Sequence, residues 1–124
     1  MIKWFAVLII LMSLFVMAIL AFAEQEWTDE EICEAIFWSE GGYDTRYPYG
    51  IKSVSCKGIK GCKIVCLRTI RSNRKRYADY GHKDYGSYLE FLASRYAPIG
   101  ASNDPTNLNK NWLTNVKWFL NNEK

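Results

Sequence analysis

The chain has 124 residues, 16 Lys or Arg against 13 Asp or Glu for a formal net charge of +3, and four cysteines. That length suits one domain whose core is small but adequate if cross-linked, and the net charge alone selects no class of partner. Internal repeats and low-complexity tracts are absent from the sequence, which excludes a solenoid or a disordered linker protein.

Residues 1–23 stand apart. Lys3 is their only charge, the run Phe5–Ala23 carries none, and Ala21-Phe22-Ala23 has the small-x-small form of a signal-peptidase site. The expectation is a signal peptide cleaved after Ala23. An uncleaved anchor is the alternative, because the run approaches the roughly 20 residues that span a bilayer. Either way residues 24–124 are expected to be exported, as a periplasmic or extracellular domain.

All four cysteines (Cys33, Cys56, Cys62 and Cys66) lie in that exported part, and an even count in a short exported chain reads as two disulfides. Three pairings exist. Cys33–Cys66 with Cys56–Cys62 is preferred, since closing Cys62 to Cys66 would join adjacent turns of one helix. A zinc site finds no support: Cys62 and Cys66 are spaced C-x3-C and the one histidine, His82, sits in a polar loop. No metal or cofactor is expected.

Charge is segregated along the chain. Residues 24–45 hold eight acids and no base, and residues 46–78 hold ten Lys or Arg and no acid. Such a basic block attracts an anionic polymer or surface, or else faces the acidic segment.

The helical elements follow in order. Thr28 with Glu31 three residues later forms a capping-box pattern, and Ile32, Ala35 and Ile36 recur at helical spacing. This helix ends at Gly41-Gly42, with Glu40 one turn beyond Ile36 on the apolar side. Residues 43–56 contain Pro48 and no helical period, and read as an irregular segment or short hairpin. Residues 61–80 read as a second helix burying Ile64, Val65, Leu67, Ile70 and Tyr77. Asp84–Tyr96 reads as a third, capped by Ser87 and Glu90 and turning Leu89, Leu92, Ala93 and Tyr96 inward. A loop follows Pro98. Residues 109–122 close the chain as a helix presenting Trp112, Val116, Phe119 and Leu120. The fold class is mainly α, or α+β with a short β-like excursion after the first helix of the domain, braced by disulfides.

Glu40 is the residue with chemistry to offer. A carboxyl acting as a general acid near neutral pH needs its pKa raised by apolar surroundings. Trp38, Tyr43, Tyr47 and Tyr49 all fall within nine residues of it, and aromatic rings beside polar amides suit the faces of sugars. The competing reading is an exposed helix end.

The stretch AIFWSEGGYDTRYPYGIKS resembles the heart of the lysozyme-like superfamily, where a helix ends on the catalytic glutamate and a short β-type excursion follows. Within it, Glu40-Gly41-Gly42 with Tyr49-Gly50-Ile51-Lys52 is similar to the glucosaminidase pattern, as is the later segment YGSYLEFLASRYAP. The lytic transglycosylases match the same residues more loosely. The resemblance spans roughly residues 31–96; the chain departs from both branches in its compactness and its cysteines.

The resemblance implies cleavage of the β-1,4-linked glycan strands of peptidoglycan, with Glu40 protonating the glycosidic oxygen. Asp44 is the candidate second carboxylate. Tyr47, Tyr49, Asn73 and Tyr96 are candidate substrate contacts, with Asn103, Asn111 and Asn115 as further amides and Trp112 and Trp118 as core anchors. If no second carboxylate faces Glu40, substrate assistance or attack by the sugar's own hydroxyl becomes the better account. Peptidoglycan is then the partner, nucleic acid is not expected, and the protein is expected to be a monomer. The alternative from another class is a non-catalytic, secreted cationic wall-binding or effector protein on the same scaffold.

Overall fold

The computed structural model describes residues 1–21 and 26–122, with the side chains of the first helix described as far as Met17. Helix α1 (Ile2–Ala21) is exposed along its described side chains and packs against no other described element. Among the described residues, no helix is long and apolar enough to cross a membrane. The cleavage position after Ala23 lies outside the described residues.

The folded body consists of α2 (Asp29–Ser39), α3 (Gly58–Asp79), α4 (Tyr88–Tyr96) and α5 (Trp112–Asn122), joined by short 3-10 turns. The capping box at the start of α2 is present: Glu31 N–H donates to Thr28 Oγ1 (3.1 Å) and Thr28 N–H to Glu31 Oε2 (2.8 Å). Asp29, Glu30 and Glu31 in its first turn also oppose the positive end of the helix dipole. Ser87 caps α4 through Glu90 N–H at 3.2 Å, so that helix starts at Tyr88 rather than at Asp84.

Helix α2 is central, packing on α3, α5 and the turn Pro48–Gly50, while α4 closes against α3 and α5. The deepest aliphatic residues come one or two from each helix: Ile32 and Ile36, Ile70, Leu92, and Val116, with Cys33, Cys62 and Cys66 equally buried among them. Burying a side chain of this kind contributes roughly 1.5–3 kcal/mol.

Arg74 ties α3 back to the start of α2. Its Nε donates to Asp29 Oδ1 (2.5 Å), its Nη2 to the Trp27 carbonyl (2.5 Å), and its guanidinium lies 4.5 Å from the Tyr88 ring centroid. Arg71 adds contacts to Asp29 and Glu30 at 3.6 Å. The acidic and basic segments therefore do meet, and among the described residues their ion pairs run through these two arginines.

Several expectations are corrected. Among the described residues there is no strand: the segment after Glu40 forms two 3-10 turns, Gly42–Asp44 and Pro48–Gly50. Pro48 and the left-handed residues Tyr49 and Gly50 break any extended run, and no neighbouring strand offers a ladder. Ile64 is exposed because the inward face of α3 runs through Cys62, Cys66, Ile70 and Asn73. At about 100° per residue, Ile64 points some 200° from Cys62. Trp118 is exposed too, edge-on to Phe119, and anchors no core.

Cys56 and Cys62 form a disulfide. Cys33 and Cys66 do not: both are free and fully buried where α2 faces α3, serving as small apolar packing residues. The neighbouring Cys33 thiol and then burial push the Cys66 thiol up, so it stays protonated in this setting.

Candidate active site

Helix α2 delivers Glu40 to the site. Glu40 is the residue that ends the helix, its N–H reaching the Ile36 carbonyl at 3.0 Å, so its side chain leaves the apolar face at the rim of the core. The carboxyl is half-buried, forms no ion pair among the described residues, and has the Trp112 indole as its nearest polar neighbour. Burial pushes its pKa above the ordinary carboxylate value, while the Trp112 indole and the Lys52 charge pull the other way. The adjacent negative end of the α2 dipole also disfavours the ionised form.

The carboxyl opens into a cavity of about 240 Å³ walled by Ser39, Leu108, Asn109, Asn111, Trp112 and Asn115. Trp112 is buried, and its indole N–H has no hydrogen-bond partner of good geometry. A buried donor that faces a half-buried carboxyl without closing a well-formed hydrogen bond is a costly arrangement for a purely structural site. The loop supplying the amide wall is itself fixed. Asp104 accepts the N–H groups of Leu108 and Asn109, both at 2.9 Å, and Asn109 Nδ2 donates to the Pro98 carbonyl at 2.9 Å.

On its other side the carboxyl is pressed by backbone. A Cβ on Gly50 would stand 2.6 Å from Glu40 Cδ and 2.7 Å from Oε2, and Gly50 has φ +67°. This is the reason for a glycine in Tyr49-Gly50-Ile51: the chain must turn left-handed and pass flat against the carboxyl. Tyr49 shares the left-handed conformation at φ +60°. A non-glycine residue holds that geometry only when its surroundings impose it. Two contacts do so here: the Tyr49 ring is buried against Phe37 (5.1 Å), and its carbonyl accepts from the Tyr96 hydroxyl. Tyr96 in turn stacks on Trp112 with centroids 5.1 Å apart. Tyr96, Trp112, Tyr49 and Gly50 thus form one brace around Glu40.

The candidate residues separate accordingly. Tyr96 and Tyr49 belong to the brace and not to an open cleft. Tyr47 is exposed and lines a different cavity, beside Arg46 and Lys52. Asp44 is exposed in the first 3-10 turn and is not among the residues lining the Glu40 cavity. Asn73 lies buried in α3, its amide donating to the Thr69 carbonyl (3.0 Å) and accepting from Arg76 Nη1 (3.3 Å). Its amide is satisfied within its own helix. Asn111 and Asn115 do line the cavity and Asn103 does not.

Gly50, Trp112 and Asn109 are the members that sequence reasoning left out of the site. The close Tyr-Gly-Ile spacing after Glu40 was the signal for Gly50. For the other two no local signal exists, because some seventy residues separate them from Glu40.

No protein family, no curated protein and no solved structure matches this chain in comparison.

Proposed function

We propose that this protein cleaves the β-1,4-linked glycan of peptidoglycan, with Glu40 as general acid, in an exported domain led by α1. The observation that carries this reading is Glu40 itself: a half-buried carboxyl with a raised pKa and no ion pair among the described residues, facing an amide-rich cavity beside the Trp112 indole. Amides suit the hydroxyl and acetamido groups of an amino sugar. At about 240 Å³ the cavity is smaller than the roughly 300–1,000 Å³ of drug-sized pockets. It fits part of a chain whose remainder lies along the surface. The Cys56–Cys62 disulfide accords with an oxidising compartment.

Among the described residues, Glu40 is the one carboxylate lining this cavity. That favours a mechanism with a single acid/base over a flanking carboxylate pair. In such a mechanism Glu40 gives its proton to the glycosidic oxygen as the C1–O bond breaks. The resulting carboxylate then takes the proton of the same sugar's C6 hydroxyl as that oxygen bonds to C1. The product carries a 1,6-anhydro ring, and no water is consumed.

The test is Glu40→Gln with purified cell walls as substrate. The substitution should keep the fold and abolish the loss of turbidity. Mass spectrometry of fragments released by the native chain should show anhydro-muramic ends. Reducing ends would assign hydrolysis instead, and undiminished lysis by the variant would remove Glu40 from the mechanism. One observation favours the non-catalytic reading: eight of the ten cations between Arg46 and Arg76 form no ion pair among the described residues. That reading predicts wall binding without any released fragment.

A further inference from the structure

A second cavity, of about 370 Å³, lies beside the Pro48–Gly50 turn, with Pro48 and Ile51 in its lining. It is lined by Arg46, Tyr47, Lys52, Ser53, Ser55 and the Cys56–Cys62 bridge, among others. Two cations each approach one ring there: the Arg46 guanidinium carbon lies 5.7 Å and the Lys52 Nζ 5.5 Å from the Tyr47 centroid. Both are exposed, and neither forms an ion pair among the described residues. Their own segment offers them no partner, since residues 46–78 contain no acid, and the acids just before it, Glu40 and Asp44, form no ion pair with them among the described residues.

Two cations without ion pairs lining one cavity give it a positive potential, which an anion bound there would offset. The rest of the lining narrows the anion's chemistry. Ser53 and Ser55 can supply hydroxyl donors, and Pro48, Ile51, Val54 and the disulfide give an apolar floor. An arginine fork matches a planar carboxylate bidentately, and a lysine adds a point charge. The fitting ligand is a carboxylate on a short carbon stalk.

Lys52 connects this cavity to the first. Gly50 passes flat against the Glu40 carboxyl, and the next two residues, Ile51 and Lys52, line this cavity. A polymer with its scissile bond at Glu40 would therefore bring its neighbouring side groups to Lys52. We propose that the Arg46–Tyr47–Lys52 cavity is a subsite for the acidic side group of the glycan, the two cations holding a carboxylate while the Tyr47 ring and the apolar floor take its carbon stalk. The identity of the polymer rests on the function proposed for Glu40; the preference for a carboxylate does not.

The experiment is calorimetric titration of the full chain carrying Glu40→Gln, which leaves the probes uncut. Three probes are compared: neutral chitotetraose, an N-acetylglucosaminyl-N-acetylmuramyl dipeptide with free carboxylates, and the same compound with its carboxylates amidated. The acidic probe should bind about tenfold tighter than the amidated one, the scale expected for a charge-assisted contact. Adding Arg46→Met and Lys52→Met should erase that preference and leave chitotetraose affinity unchanged, which also shows that the variant is folded. Lys52→Arg should restore most of it. Equal affinity for the acidic and amidated probes overturns the subsite, as does a preference that survives the double substitution or an absence of binding by every probe. Failure of the catalytic reading shows elsewhere, as wall lysis by Glu40→Gln.

Discussion

Gly50→Ala is the most informative single change, because the structure separates its two costs. The first is backbone strain. Gly50 sits at φ +67°, and an L-residue in the left-handed region costs about 1–2 kcal/mol. The second is a collision. The new Cβ stands 2.6 Å from Glu40 Cδ, whereas carbon atoms settle no closer than about 3.5 Å, so the carboxyl or the turn must move by about 1 Å. A displacement of that size at a reacting group is worth roughly 100-fold in rate.

Gly58 is the matched control, with the same φ of +67° and open space around its Cβ position. Urea unfolding should therefore show a loss of at least about 1–2 kcal/mol for Gly50→Ala and about 1–2 kcal/mol for Gly58→Ala. In a cell-wall turbidity assay, run where both variants are fully folded, Gly50→Ala should lose about 100-fold and Gly58→Ala nearly nothing. Equal activity of the two variants would refute the claim that Gly50 positions Glu40.

Three further outcomes follow from the same geometry. Burial raises the Glu40 pKa, so the folded chain keeps that proton at pH values where the unfolded chain has released it. Stability from this group thus falls as pH rises from the ordinary carboxylate value through the raised one. Glu40→Gln should be more stable than the native chain at neutral pH and match it in acid below the ordinary carboxylate value; an advantage independent of pH would contradict the burial argument. Tyr96→Phe removes the donor to the buried Tyr49 carbonyl and should cost about 1–3 kcal/mol by denaturant titration, with lysis reduced as well. A loss of stability with activity intact would separate Tyr96 from the brace. Arg74→Met breaks the contacts to Asp29 and Trp27 and should cost about 1.5–3 kcal/mol without lowering the lysis rate of the folded protein. Lost lysis in a folded variant would place α3 in the site.

The part of this molecule legible in its sequence is the part written in short-range patterns. Thr28 and Glu31 announce the start of α2, Ser87 and Glu90 that of α4, and the spacing of Ile32, Ala35 and Ile36 places Glu40 at the edge of an apolar face. These signals need only 3.6-residue periodicity and local hydrogen bonds, which a chain carries without any knowledge of its neighbours. The Cys56–Cys62 bridge, closing a short loop, belongs to the same class.

What surrounds Glu40 was decided by tertiary packing. The tyrosines nearest to it in sequence are dispersed, Tyr49 into the core and Tyr47 to a separate cavity. Trp112 and the asparagines, far along the chain, become the wall. Ring content close in sequence says nothing about which way a left-handed turn at Tyr49-Gly50 will aim each ring. The free thiols of Cys33 and Cys66 teach the same lesson, because packing two helices face to face fills that space with sulfur whether or not a bond joins them. Periodicity determines which side of an element is buried; only the docking of α5 onto α2, with the Leu108–Asn111 turn packed on α5, determines what that side meets.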